Sequence, residues 1–370
     1  MRRFAMVLSA CLWACGDNQT GPPDLQPDAG FHPAPHAPLP TVVAHTGIVL
    51  SAMQLVTITY AGYAAAPDVV EFGDALVASS WYRTIGAEYR VAPASHRQQV
   101  VLGAPPAMLD RDHIAAQILD LVTGGGVVPP DRASNQLLYL LYVPPSVALG
   151  SDLVGVAGYH EMLTLGGVRF PIAVVIDDGS GLATTTTQAA HQVIDAATNP
   201  YLPPNDGYYA DPPQTDPWSL LRREVADLCE GEDVVIEGRF AFPRVYSNTA
   251  AVASMTPCTP VRPGDVYYDV TAEPSQIQTV KPGNSVKYRL TGWSTGPLPA
   301  WSVRVRAAAS SMLSQDEMRP ELSSDTINNG EMVTLTLHAP PEAAPGTTGG
   351  VAVLSGANQH LWAVGFIVRP

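Results

Sequence analysis

Apolar positions along the chain fall into two regimes. Between 41 and 262, strand-like and helix-like periods alternate. Gln54–Tyr60 alternates as a strand, Pro67–Ser79 fits a helix, and Gln98–Leu102 is β-like. Asp110 is placed to cap a helix carrying Ile114, Ile118 and Leu121 on one face. Leu137–Val143 and Phe170–Ile176 are short, nearly continuous apolar runs, as buried strands require. Thr187–Thr198 fits a helix with Ala190, Ile194 and Ala197 on one face, and Asn199-Pro200 ends it. From 263 the pattern becomes β-rich: Tyr267–Thr271, Ser285–Thr291, Trp301–Ala307, Met332–His338, Val351–Leu354 and Leu361–Val368 are separated by Pro, Gly and Asn turns. That spacing predicts an antiparallel, immunoglobulin-like β-sandwich over 263–370, with Trp301 and Trp362 in its core.

The first 40 residues fit neither regime. Met1-Arg2-Arg3 followed by apolar Phe4–Ala14 reads as an export signal over 1–15 of the bacterial lipoprotein type, with Cys15 the lipidated residue and Cys11 the alternative. The implied location is the cell envelope or surface, anchored by lipid and assigned to the outer membrane. Residues 16–40 carry seven prolines and almost no apolar pattern, which predicts a solvated tether. At about 3.1 Å per residue it reaches roughly 75 Å. His32 and His36 lie in it, and the composition favours solvation over a metal role. Setting the two early cysteines aside leaves Cys229 and Cys258, an even pair that an oxidising compartment would join.

Charge narrows the function. Against 20 basic residues stand 34 acidic ones, a formal charge of −14, so a nucleic-acid footprint is excluded. Lys281 and Lys287 are the only lysines. A P-loop, kinase or Schiff-base lysine is therefore absent from the first 280 residues, and no nucleotide partner is expected. Gly124-Gly125-Gly126, with no lysine beside it, is a loop. No apolar run reaches the ~18 residues of a membrane span. No Gly-x-Ser-x-Gly elbow occurs either. The acidity sits mainly in 41–262, where 22 acids face 11 bases, and is densest over 205–237.

His191 and Asp195, four apart on the predicted helix, project together and suit two ligands of one metal. The same spacing also suits a surface contact. A carboxylate from 205–237 would complete a three-ligand site. His160 is placed either to face a cleft or to pack at a β-edge. Asp177-Asp178 reads as a solvated turn.

Gly158-Tyr159-His160, the strand ending at Asp177, and the helix His191…Ala196-Ala197-Thr198-Asn199-Pro200 resemble a secreted zincin-like, metallopeptidase-like family. That family includes bacterial lipoproteins and the plant Exordium (phosphate-induced) proteins. Gly207-Tyr208-Tyr209, Glu224-Val225-Ala226-Asp227-Leu228-Cys229 and Tyr246-Ser247-Asn248 match further family segments. The resemblance implies an α+β zincin-like domain over 41–262, with zinc on His191, Asp195 and Asp227, and Glu224 as the alternate ligand. Two departures stand out. Gln192 occupies the place of the family's general-base Glu, and Asp195 stands where Glu is usual. A neutral amide cannot take a proton from water, a role typically worth about 10²–10⁴-fold. The resulting expectation is a lipid-anchored surface protein with a catalytically impaired domain that still holds peptide or another extracellular polymer, His160 facing the cleft. The alternatives are an active zinc hydrolase using Glu224 or Glu161 as base, and a non-enzymatic envelope or adhesion protein.

Overall fold

A computed structural model describes residues 30–130, 135–201, 207–210, 224–308, 311–356 and 361–370. The expected export signal, with Cys11 and Cys15, lies outside the described residues. Among those described, no helix is long and apolar enough to cross a membrane.

The first region is mixed α/β. In chain order it runs β1 (Val42–Ala44), β2 (Gln54–Tyr60), α1 (Ala66–Ala78), α2 (Ser80–Tyr89), β3 (Ser95–Leu102), β4 (Met108–Leu109), α3 (Arg111–Thr123), β5 (Leu137–Val143), β6 (Ala148–Leu149), β7 (Gly158–Leu165), β8 (Val168–Ile176) and α4 (Leu182–Thr198). Five of these strands form one sheet in the order β3-β2-β5-β8-β7. The first four are parallel, and β7 closes one edge antiparallel to β8. The expected apolar runs become its middle: β5 is buried at all seven positions, which is possible only with both faces covered. Leu138, Leu140, Tyr142, Ala173 and Val175 pack toward α1, α2 and α4. Tyr139, Leu141, Ile172 and Val174 pack on the other face, against Ile114, Ile118 and Val122 of α3. Val122 joins Ile114 and Ile118 as the fully buried stripe of that helix, and Leu121 packs half-buried against the same cluster as expected.

Helix α2 is an element the sequence pattern did not announce. Ser79 accepts a bond from the Tyr82 N–H as its N-cap. Glu237, far away in sequence, accepts from the N–H groups of Ser80 and Trp81 at 3.0 and 2.8 Å. The carboxylate thus satisfies donors that a helix start leaves open.

Small pairings close the region. β1 pairs with β9 (Tyr208–Ala210), β10 (Val235–Glu237) with β11 (Phe240–Phe242), and β12 (Val245–Tyr246) with β13 (Cys258–Thr259). Between β12 and β13 runs a short helix, α5 (Asn248–Val252). Asn248 acts as a surrogate strand: its Oδ1 accepts from the Val42 N–H at 2.9 Å and its Nδ2 donates to the Val42 carbonyl at 2.7 Å. Cys229 and Cys258 form the expected disulfide.

The second region is largely β. β14 (Tyr268–Glu273), β16 (Ser285–Ser294), β20 (Met332–His338) and β18 (Glu321–Leu322) form one sheet; β15 (Gln278–Val280), β22 (Leu361–Val368), β21 (Thr348–Ser355), β17 (Trp301–Ala307) and β19 (Thr326–Ile327) form the other. Most neighbours are antiparallel, and β15 runs parallel to β22. Trp301 and Trp362 are both buried.

The described part of the expected tether is not solvated throughout. Ala34, Leu39 and Pro40 are buried, and the His36 ring stacks on Trp293 with centroids 3.7 Å apart. Proline content alone misleads here, because an aromatic surface on the same chain receives the segment.

Candidate metal centre

Helix α4 delivers two of the expected donors from the covered face of the sheet. His191 and Asp195 are both buried, and His191 Nε2 lies 3.0 Å from Asp195 Oδ2. Asp227 opens a single 3-10 turn, Asp227–Cys229, and its Oδ1 lies 3.3 Å from the same nitrogen. The three donor atoms all fall within 4.8 Å of one another. The other oxygen of Asp195 accepts from the Ala226 N–H at 2.9 Å. That bond fastens α4 to the segment carrying Asp227, and the disulfide at Cys229 fastens the same segment to β13.

Glu224 is engaged elsewhere. Its Oε1 accepts from Asn199 Nδ2 at 2.6 Å and lies 3.4 Å from His160 Nε2. The latter is an ion-pair separation without hydrogen-bond alignment, and His160 Nε2 is a buried atom with no hydrogen-bond partner among the described residues. Of the two carboxylates offered for the third ligand, the geometry therefore brings Asp227 to His191 and gives Glu224 to His160.

Edge strand β7 supplies the opposite wall. Gly158 and His160 pair with Val175 and Ala173 of β8, whose side chains pack on the α4 side. Alternate residues of a strand point to opposite faces, so Tyr159 and Glu161 look away. Tyr159 indeed packs in the core on the α3 face. Glu161 is consequently not placed to act as a base beside His191, which corrects that alternative. Gln192 is buried against the strand: a Cβ at Gly158 would come 3.0 Å from Gln192 Cγ and 2.8 Å from the Val174 carbonyl. The glycine of Gly-Tyr-His is thus a point where helix and edge strand leave no room for a side chain.

Burial opposes charge on both histidines, but the carboxylates prevail. Asp195 and Asp227 hold His191 well above the ordinary imidazole range. Glu224, helped by Asp195 and Asp227, raises His160 to about 9. Burial pushes the Asp195 carboxyl upward against the pull of His191.

One imidazole nitrogen and two carboxylate oxygens make a donor set suited to zinc. Such ligands sit at about 2.0–2.2 Å, and tetrahedral coordination then separates neighbouring donors by roughly 3.3 Å. The observed 3.0 and 3.3 Å fit that spacing.

Two features escaped the sequence. Asn199, read only as a helix stop, is a two-way clamp: its amide holds Glu224, and its Oδ1 accepts from the Gly207 N–H at 2.9 Å. The available signal was its position between a helix end and a Gly-aromatic pair. Asp177 is the other. It is buried, not solvated, and accepts from Tyr63 Oη at 2.7 Å, the Gly179 N–H at 2.9 Å and Thr185 Oγ1 at 3.3 Å. Its neighbour Asp178 stays at the surface as expected and accepts from the Ser180 N–H.

No protein-family model matches the chain, and no curated protein matches it in sequence. Among solved structures, a family 123 glycoside hydrolase from Clostridium perfringens, described for glycolipid glycan hydrolysis, aligns over 25% of this chain and 22% of its own at 13% identity, with a TM-score of 0.20. A likeness that short and distant bears on neither fold nor chemistry.

Proposed function

We propose that this is an exported, lipid-anchored surface protein whose first domain is zincin-like, holds a zinc ion on His191, Asp195 and Asp227, and binds an extended polymer such as peptide without efficient hydrolysis. The second domain is read as an immunoglobulin-like sandwich. The convergence of one imidazole and two carboxylates beside an antiparallel sheet edge supports the zincin-like reading. So does the disulfide, which suits an oxidising compartment. The bound ion would supply Lewis acidity for a water nucleophile.

The observation that carries the impaired reading is Gln192. It lies on the helix turn between His191 and Asp195, buried against Gly158. Its carboxamide can orient a polar group but cannot accept a proton. His160 lies on the same side with its nitrogen buried 3.4 Å from Glu224, and would hold a substrate carbonyl or its developing charge only where the substrate displaces that pair.

Glu224 favours a second reading, an active hydrolase. It is a half-buried carboxylate beside the centre, 3.4 Å from His160. Against it, the Asn199 amide already occupies the oxygen that faces His160.

Elemental analysis of the purified protein, with a chelator-controlled peptidase assay, separates the readings. Stoichiometric zinc lost in His191→Ala, with negligible turnover, is the expected result. Robust chelator-sensitive turnover establishes the active enzyme instead. Absence of zinc from protein prepared with the metal supplied supports the non-enzymatic envelope reading.

A further inference from the structure

Four of the eight residues from 33 to 40 are proline. Such a segment is pre-set toward an extended polyproline II backbone, which leaves its N–H and C=O groups for outside partners. Here those partners are built in. The His36 ring lies on the Trp293 indole at 3.7 Å with the planes 13° apart, and Tyr267 flanks the same indole at 5.3 Å. The Ala34 N–H donates to Asn329 Oδ1 at 2.9 Å, an oxygen that also accepts from the Ser294 N–H of β16. The Ala37 N–H reaches Thr271 Oγ1 at 3.4 Å, and Tyr246 donates its hydroxyl to the Pro40 carbonyl.

An aromatic ring under a proline-rich segment, here meeting His36 rather than a proline, with polar side chains on the segment's free amides and a carbonyl, shares its chemistry with the recognition of proline-rich ligands between proteins. Here receptor and ligand belong to one chain. The segment is held lightly. Pro33, Pro35 and Pro38 are exposed, and a cavity of about 560 Å³ lies between it and Ala251, Val252 and Ser254. Exposed prolines beside unfilled space are where local opening without global unfolding is expected, against the hold of the buried Ala34, Leu39 and Pro40.

We propose that the surface formed by Trp293, Asn329 and Thr271 is a receptor for proline-rich segments, that residues 33–40 are its ligand in cis, anchored by the His36–Trp293 stack, and that the segment opens and can be replaced by one of the same chemistry in trans. The proposal is independent of the metal centre.

The test uses the full chain, with hydrogen exchange at the Ala34 and Ala37 amides and a fluorescein-labelled peptide of residues 33–41. In the unmodified chain both amides are protected and the peptide binds weakly, because the cis segment competes. His36→Ala accelerates exchange at both amides by roughly 2- to 12-fold, the worth of one aromatic stack, and strengthens binding of the peptide by a similar factor. His36→Phe keeps the protection, and a peptide with alanine in place of the histidine binds neither chain. Exchange that is unchanged in His36→Ala overturns the proposal. So does faster exchange without binding of the peptide in trans.

Discussion

Asn199 Nδ2 donates to Glu224 Oε1 at 2.6 Å, and this bond holds Glu224 toward His160 while Asp227 faces His191. Asn199→Ala removes both arms of the clamp, on Glu224 and on Gly207. Removing a buried hydrogen-bond partner costs about 1–3 kcal/mol. The expected outcome is a lower melting temperature together with weaker zinc retention, read by calorimetry and metal titration. Retention that is unchanged would show that Glu224 needs no restraint.

Gln192→Glu returns a proton acceptor to the helix turn. If zinc is held as proposed, peptidase turnover should rise by about 10²–10⁴-fold, the usual worth of a general base. A single-turnover assay on the purified variant, with His191→Ala as control, measures it. The variant should also bind zinc no worse than the parent, since the new carboxylate adds negative charge beside the ligands.

Gly158→Ala tests the closest approach of helix and strand. The new methyl would meet the Val174 carbonyl at 2.8 Å, a backbone atom that cannot swing aside. Overpacking of this kind costs about 1–3 kcal/mol. Adding Gln192→Ala should recover only part of the loss, because it relieves the side-chain contact and leaves the backbone one.

The Cys229–Cys258 bond closes a separation of 29 residues and sits two residues from Asp227. Replacing both cysteines by alanine should lower stability by about 3–4 kcal/mol on the chain-entropy argument. Zinc affinity should fall as well, since the Asp227 segment loses its tie to β13. Denaturant unfolding and competitive metal titration report the two effects separately.

Asp269, in the second region, gives a pH dependence. Burial pushes its carboxyl up to about 7, although Val270 N–H, Ser355 Oγ and Tyr267 Oη all donate to it. The folded state therefore binds this proton more tightly than the unfolded chain, whose carboxyl has the ordinary value of 3.8. The contribution to stability is greatest below about pH 4 and declines as pH rises through the window up to about 7. Asp269→Asn should flatten that decline and raise the melting temperature at pH 8 relative to the parent. A decline equally steep in the variant would assign it to other groups.

Much of this arrangement was legible because it rests on local pattern. β5, β8 and α4 announce themselves by apolar runs and by the Ala190, Ile194, Ala197 stripe, and the His191/Asp195 pair follows from helical spacing. What could not be read depends on distant partners. Helix α2 has a local cap in Ser79, but the remaining open N–H groups of its first turn are met by Glu237, 157 positions beyond Ser80. Asp227 and Glu224 are three residues apart and chemically alike, and it takes distant partners, Asn199 and His160 for Glu224 and His191 for Asp227, to distinguish them. Residues 33–40 look like a solvated linker until Trp293, more than 250 positions later, supplies a surface for them.

Tyr246, Ser247 and Asn248 bear on the order in which the chain can assemble. These three consecutive residues hold the Pro40 carbonyl, the Glu88 carboxylate and both polar groups of Val42. The beginning of the first region therefore takes its last bonds only when this stretch has been made. A nascent chain ending near 240 would carry the completed central sheet and the β1–β9 pairing but not the bonds that Tyr246 and Asn248 give to Pro40 and Val42. The last latch of this region is for that reason closed from the back, and a truncation removing 246–248 would strip the side-chain bonds from Pro40 and Val42, some 200 positions earlier, and leave β1 held by its pairing with β9.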